Sequence, residues 1–158
     1  MVQLRVRKDE RIKLLRRVDL FSTCNNAELG RIASLTTELA VEAGQVLTKR
    51  GDIALEFFVI VEGKATASRK GVELATLGPG SFFGELALLD GGKRTATVVA
   101  QTDMRLLVLS RREFPSLYRL NPSVAGKIIG ELGARLRKTD ELLDPTPALS
   151  KKVGSWSL

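Results

Sequence analysis

Glycines divide the middle of the chain into short strand-like segments, and this punctuation limits the fold more than any other feature. The segments either alternate apolar and polar residues or run continuously apolar, as strands do. Turns with unusual backbone angles favour glycine, so this spacing is typical of an antiparallel sandwich or barrel of about eight strands. The segments are VLTK, EFFVIVEG, KATASR, VELATLG, TATVVA and RLLVLS, and the punctuating glycines are Gly44, Gly51, Gly63, Gly71, Gly78 and Gly80.

Helical patterns precede the strands. Ile12, Leu15 and Val18 fall at helical spacing among strong charges and predict one short amphipathic helix. The stretch NNAELGRIASLTTEL predicts a second helix, whose first turn Asn25 or Asn26 can cap. We therefore expect two helices before the sheet region.

Two further helices are predicted after the strands. Ser110 followed by Glu113 spells a capping box, so a helix should begin near Arg111 and end by Pro122. The stretch SVAGKIIGELGARLRKTDELL then predicts a longer helix. Its apolar stripe is Val124, Ile128, Ile129, Leu132 and Leu136, and Gly126, Gly130 and Gly133 weaken it locally.

The N-terminal segment carries most of the basic charge. Residues 1–18 hold seven Lys or Arg against two acidic residues, a balance of +5, which leaves +2 of the total +7 for residues 19–158. A nucleic-acid-binding domain normally shows a basic face across its fold, and the body of this chain does not fit that class. We interpret residues 1–18 as a solvated basic helix or arm, with a partner, lipid or nucleic-acid contact as the alternative.

Composition removes several classes of function. The chain has no histidine and one cysteine, Cys24, which excludes an internal disulfide and any Ser/His or Cys/His catalytic pair. Metal-dependent β-barrel enzymes normally use histidine ligands, so we predict no metal site. The stretch GGKRT places Arg94 where a phosphate loop needs Ser or Thr. No acidic pair stands out, and we predict a binding protein without catalytic residues.

Length and hydropathy predict a single domain without a membrane-spanning segment. At 158 residues it is most simply one domain. The longest apolar run is FFVIV, far short of the roughly 20 residues that cross a bilayer, and no signal-peptide pattern opens the chain. We expect a soluble, cytoplasmic protein.

The stretch FFGELALLDGGKRTATV, residues 82–98, holds the residues that can form a site. Gly84 lets the backbone approach a ligand, and the first amides of a helix beginning at ELALL attract an anion. Arg94 can offer a planar fork to two phosphate oxygens. Glu85 would be repelled by a phosphate unless it accepts a hydrogen bond, for example from a sugar hydroxyl. The alternative is an ordinary strand-turn-strand corner with a surface arginine.

This stretch resembles the phosphate-binding cassette of the cyclic nucleotide-binding domain family, and the similarity spans roughly residues 18–138. In that family Phe-Gly-Glu and a short apolar helix are followed by a variable loop, then Arg, a small or hydroxylated residue, and Ala. The matching residues are Phe83, Gly84, Glu85, Leu86, Ala87, Leu88, Arg94, Thr95, Ala96 and Thr97. The resemblance implies a mainly β fold, an eight-stranded antiparallel jelly roll with flanking helices, that binds cAMP or cGMP and needs no further cofactor.

The resemblance also implies a role for each cassette residue. Glu85 is expected on the ribose 2′-hydroxyl and Arg94 on the cyclic phosphate. A hydroxyl at the position of Thr95 can contact guanine, yet some members with threonine prefer adenine, and we favour cAMP over cGMP. The expected amide contacts come from Gly84, Leu86, Ala87 and Ala96. The family's cap position falls at Leu136 or at one of its neighbours Arg135 and Arg137, with an ordinary core or solvent position as the alternative for each.

The predicted organisation is a basic arm, residues 1–18, a cyclic nucleotide-binding domain, residues 19–140, and a flexible tail, residues 141–158. The predicted function is a regulatory module whose last helix moves on ligand binding to control a protein effector, with a homodimer as one expected assembly. No helix-turn-helix follows the last helix, so we expect no DNA-binding domain in this chain. Two alternatives stay open: a jelly-roll interaction domain that no longer binds nucleotide, and the sensor part of a larger transcription regulator, channel or enzyme.

Overall fold

The structure, a computed structural model, describes residues 2–143, and the first elements are one short strand and three helical segments. They are β1 (Val2–Leu4), α1 (Lys8–Arg16), a 3₁₀ helix (Asp19–Phe21) and α2 (Asn26–Leu35). Asn25 caps α2, since its side chain accepts from the Glu28 N–H at 2.8 Å while its own N–H donates to Glu28 Oε1 at 2.9 Å. Both helices predicted before the sheets are therefore present.

The strands form two packed antiparallel sheets. Those that follow β1 are β2 (Thr36–Val41), β3 (Val46–Thr48), β4 (Glu56–Glu62), β5 (Ala65–Arg69), β6 (Val72–Leu77), β7 (Phe82–Phe83), β8 (Thr97–Ala100) and β9 (Met104–Ser110). One sheet has the order β1-β2-β9-β4-β7 and the other the order β3-β8-β5-β6. The predicted β class with flanking helices is confirmed. Both sheets stay open, so the fold is a sandwich and the barrel alternative is wrong. Within residues 2–143, β1 is the strand beyond the predicted eight.

The second predicted helix is too long. The helix α2 ends at Leu35, and the next six residues form β2. Thr36 and Thr37 are β-branched, which favours extended backbone. The whole of β2 pairs with β9, from Thr36 opposite Leu109 to Val41 opposite Met104. This sheet pairing ends the helix at Leu35, whereas the predicted helix continued to Leu39.

The core has two parts, and β4 separates them. Phe58 points between the two sheets and stacks on Phe83 with ring centroids 4.8 Å apart. Phe57 points to the opposite face and packs on Phe114 at 5.0 Å, among the side chains of the helices. Because β4 is buried on both faces, its sequence is a continuous apolar run rather than an alternating one.

The last two helices are α4 (Phe114–Leu120) and α5 (Pro122–Leu143). The expected capping box does not start a helix at Arg111, since the Glu113 N–H reaches Ser110 Oγ at 3.4 Å within a turn that precedes α4. The helix α4 therefore begins at Phe114, later than the predicted start near Arg111.

The longer helix α5 spans its predicted range in spite of its three glycines. Its buried stripe is narrower than predicted. Val124 and Ile128 are buried in the core, whereas Ile129 is 66% exposed and Leu136 51% exposed. The core therefore holds α5 through its first half, and the second half projects over the open end of the sandwich.

The basic N-terminal segment is packed onto the domain through Leu15 and Val18, which are buried in the core, and through one of its arginines. Arg11 donates to the carbonyl oxygens of Ala33 and Thr36, each at 2.8 Å, at the end of α2. Residues 144–158, which include Trp156 and most of the predicted tail, lie outside the described residues. Among the helices of residues 2–143, none is long and apolar enough to span a membrane.

Candidate functional site

A cavity lies between the four-stranded sheet, the short helix α3 (Glu85–Asp90) and α5. Its volume is about 870 Å³, including the space at the mouth that opens to solvent. All seven predicted site residues line it. They are Gly84, Glu85, Leu86, Ala87, Arg94, Thr95 and Ala96. The stretch singled out from the sequence is therefore folded around one pocket.

Gly84 joins β7 to α3 in a conformation that only glycine adopts readily. Its φ is +93°, and a Cβ atom there would lie 2.7 Å from Arg94 Nη1 and 3.0 Å from the Glu56 carbonyl oxygen. The absence of a side chain therefore lets the backbone of the cassette rest directly against the guanidinium of Arg94.

Arg94 is a buried cation held only by neutral groups. Its side chain donates to the Gly84 carbonyl at 3.1 Å and to the Glu56 carbonyl at 2.7 Å, and the residue is 7% exposed. No carboxylate forms an ion pair with it within residues 2–143. Burial lowers the pKa of Arg94, and the nearby charges of Glu56 and Glu85 oppose that shift. A buried cation without an ionic partner favours an anionic ligand.

The backbone around Arg94 fixes its position. The Arg94 N–H donates to the Asp52 carbonyl at 2.8 Å, and the Gly51 N–H donates to the Arg94 carbonyl at 2.9 Å. An isolated bridge pairs Ile53 with Lys93 beside them. The arginine thus sits on an ordered loop pair rather than on a free turn, and the surface-arginine alternative is wrong.

Glu85 faces the same cavity with one oxygen bound and the other free. The residue is 3% exposed. Oε1 accepts from Arg135 at 2.8 Å, while Oε2 is buried and has no hydrogen-bond partner in the described part of the chain. Burial raises the pKa of Glu85, Arg135 opposes the rise, and Glu131 adds to it. Oε2 is therefore a buried acceptor without a donor, a kind of group that a ligand hydroxyl can satisfy.

Arg135 ties α5 to the cassette. Besides Glu85 it binds the Phe82 carbonyl, pairs with Glu131 at 3.0 Å, and lies over the Phe82 ring at 5.1 Å. Of the three residues at the predicted cap position, Arg135 and Leu136 line the cavity and Arg137 does not. The ion pair joins residues 50 positions apart, so no local pattern in the sequence could reveal it.

Three further polar residues at the cavity were missed by the sequence reasoning: Thr48, Arg69 and Lys138. Thr48 Oγ1 donates to the Ala96 carbonyl at 3.1 Å, and Arg69 Nε donates to the Thr95 carbonyl at 2.9 Å. Both side chains line the cavity. The alternation in KATASR, which puts Arg69 on the same face as two alanines, was the available signal for the arginine.

The geometry agrees with the comparison to known proteins. The sequence model of the cyclic nucleotide-binding domain matches residues 38–121, just over half of the chain. The chain belongs to the cyclic nucleotide-binding domain family. Cyclic nucleotides are the ligands of this family, and the cassette lies inside the matched range. No group of three or more potential metal ligands occurs in the part of the chain that the structure describes.

Relatives of different architecture share this domain. The chain is 40% identical over 106 residues to the cyclic AMP receptor protein of Thermus thermophilus, covering 64% of this chain and 49% of that protein. It is 36% identical over 116 residues to a cyclic nucleotide-gated potassium channel of Rhizobium etli, covering 73% of this chain and 32% of the channel. The chain thus spans about half or less of these relatives.

A solved structure gives the fold comparison. The structure described as cAMP bound PfPKA-R (141-441) superposes with a TM-score of 0.80 at 25% identity, covering 85% of this chain and 47% of that one. The fold is therefore the jelly roll of the family, and the chain contains a cyclic nucleotide-binding regulatory domain similar to that of the receptor protein.

Proposed function

We propose that the cavity binds a cyclic nucleotide, cAMP in preference to cGMP, and that the domain uses this binding to regulate a protein partner. The observation that carries the proposal is Arg94, a buried guanidinium without an ionic partner among residues 2–143, which lines the same cavity as Glu85, whose Oε2 has no hydrogen-bond partner in that range. The Arg94 cation matches the charge of one phosphodiester, and the Glu85 acceptor matches one sugar hydroxyl.

The two charged residues would divide the ligand between them. Arg94 neutralises the cyclic phosphate, with help from the amides of Leu86, Ala87 and Ala96 along the cavity wall. Glu85 Oε2 accepts from the ribose 2′-hydroxyl and thereby gains the partner that it otherwise lacks. Support for cAMP comes from the relative named cyclic AMP receptor protein and from the similar structure with bound cAMP.

Regulation would pass through Glu85 to α5. The ligand binds one oxygen of the carboxylate, and Arg135 binds the other. A nucleotide that stabilises the ionised, oriented carboxylate therefore also stabilises the docked position of α5. The break between Leu120 and Pro122, where α4 ends and α5 begins, is the hinge for this movement. The protein effector would respond to whether α5 is docked on the cassette.

The remaining expectations extend the same proposal. The domain acts as a cytoplasmic receptor without catalysis of its own. Ile129 and Leu136, both exposed and one heptad apart on α5, supply an apolar surface for an effector or for a homodimer.

Isothermal titration of nucleotide-stripped protein tests the ligand. Stripping matters because bound nucleotide can survive purification. We expect cAMP to bind more tightly than cGMP, and 2′-deoxy-cAMP more weakly than cAMP because Glu85 Oε2 then has no donor. Absence of binding by cAMP and cGMP below millimolar concentration would leave the jelly-roll interaction domain as the better account. Equal affinity for the deoxy analogue would refute the role of Glu85.

Hydrogen exchange tests the regulatory step. We expect cAMP to slow amide exchange along the second half of α5, which the core does not hold, and at the Leu120 to Pro122 hinge. Slower exchange confined to α3, with α5 unchanged, would contradict transmission through α5 while leaving ligand binding intact.

A further inference from the structure

Arg69 is a charged residue on the inward face of a sheet. Along β5 the side chains of Ala65, Ala67 and Arg69 share one face, because alternate residues of a strand point the same way. Ala65 lies in the core between the sheets, and Ala67 packs against it. The strand β5 lies between β8 and β6, so this inward charge does not serve to protect a sheet edge.

The guanidinium of Arg69 is anchored at one nitrogen and free at the others. Nε donates to the Thr95 carbonyl at 2.9 Å, which holds the side chain beside the residue that follows Arg94. Across residues 2–143, neither terminal nitrogen of Arg69 has a protein acceptor, and no carboxylate forms an ion pair with it. The four N–H donors of these two nitrogens are therefore left without a protein acceptor on a residue that lines the cavity.

Small apolar side chains line the cavity wall next to Arg69. Ala67 and Ala75 pair across β5 and β6, and both line the cavity. A register shift between these strands beyond Ala67 gives β6 an extra residue, Leu74, which also lines the cavity. Two alanines leave room for a planar ring against the sheet, with the arginine at its margin.

We propose that Arg69 reads the base of the nucleotide and raises the affinity for guanine relative to adenine. An arginine offers only donors. Guanine presents two neighbouring acceptors, N7 and O6, whereas adenine presents N7 beside a donor amino group. Arg69 can therefore pair with the edge of guanine and only partly with that of adenine. This inference rests on the proposed function: it adds a residue that moderates the preference for cAMP.

The test compares three ligands across matched variants by isothermal titration. Arg69→Met removes the donors and keeps the length of the side chain. Arg69→Lys keeps a cation that can still reach the Thr95 carbonyl but lacks the fork. Arg31→Met removes one positive charge from an exposed arginine outside the cavity and is the control for net charge. The ligands are cAMP, cGMP and cIMP, whose base keeps N7 and O6 but lacks the amino group of guanine.

For Arg69→Met we expect cGMP and cIMP to weaken together by roughly 5- to 100-fold, with cAMP changed by less than about threefold. Arg69→Lys should show the same direction with a smaller loss, and Arg31→Met should change none of the three. Equal weakening of all three ligands by Arg69→Met would overturn the inference, because it would place Arg69 on the phosphate or in the support of Thr95. Unchanged affinities would overturn it as well, and both outcomes would leave the proposed function standing. Wild-type protein that binds no cyclic nucleotide would refute both.

Discussion

The ion pair between Arg135 and Glu85 leads to a prediction about stability and pH. Arg135→Met removes the cation that holds α5 to the cassette and leaves a 3% exposed carboxylate without its partner. Exposed pairs contribute about 0 to 1 kcal/mol, and removing one member of a buried pair costs about 3 to 5 kcal/mol. The Arg135 side chain is 26% exposed, so we place the loss between these limits, at about 1 to 3 kcal/mol near pH 8.

The sign of the pH dependence follows from Glu85. Because burial raises the pKa of Glu85 above that of an unfolded glutamate, its titration favours the folded state at low pH and loses that contribution as pH rises. Removing Arg135 raises this pKa further, so the variant loses more stability than wild type as pH rises from about 4.3 upward. The difference between the two proteins should therefore be smaller at pH 5 than at pH 8, with the contacts of Arg135 to Phe82 lost at both pH values.

Denaturant and thermal unfolding of the two proteins at both pH values measure this effect. At pH 8 a loss of about 1 to 3 kcal/mol corresponds to a melting temperature lower by roughly 2 to 12 °C for a chain of this length. Arg137→Met is the control, because Arg137 lies on the same helix, lines no part of the cavity and makes no ion pair within residues 2–143. A second control is the double variant with Glu85→Gln, in which replacing Arg135 should cost only its contacts with Phe82 and Glu131 and therefore less than in the wild-type background. A loss that is equal at both pH values, or additive in the double variant, would refute the reasoning.

Three other substitutions test neighbouring parts of the account. Gly84→Ala should destabilise the protein by about 1 to 2 kcal/mol through its positive φ and weaken cAMP binding by displacing Arg94; normal affinity in titration would show that the close approach is dispensable. Arg94→Ala should cost about 2 to 5 kcal/mol of binding by titration, and a smaller loss would argue against a phosphate contact. It should also lower unfolding stability by about 1 to 3 kcal/mol, because two partly buried carbonyls lose a donor. Asn25→Ala should cost about 0.5 to 2 kcal/mol of unfolding stability through its capping box and leave cAMP affinity unchanged; a change in affinity would tie α2 to the site.

The cassette could be predicted from sequence because its parts are local. Gly84, Glu85 and Arg94 lie within eleven consecutive residues, and a glycine, a short apolar helix and an arginine each have a direct physical meaning there. The structure adds that Arg94 also supports the fold. Its two carbonyl partners were not visible in the sequence, since one of them, Glu56, lies 38 positions away.

The errors in the fold prediction have a common cause. The boundary at Thr36 carries no glycine or proline, so a helical spacing that continued past Leu35 was extended into β2. The pairing of β2 with β9 decides the outcome, and this pairing joins residues 63 to 73 positions apart. The exposed Ile129 and Leu136 have the same origin, because apolar spacing predicts a stripe but not the length of core that covers it.

The central claim is that the cation of Arg94 and the free oxygen of Glu85 bind one cyclic nucleotide. A crystal structure of nucleotide-stripped protein saturated with cAMP tests this most directly. The account predicts density in the cavity with phosphate oxygens on the Arg94 guanidinium and the ribose 2′-oxygen within hydrogen-bond distance of Glu85 Oε2. A cavity that stays empty at saturating cAMP, or a nucleotide bound elsewhere on the domain, would contradict it.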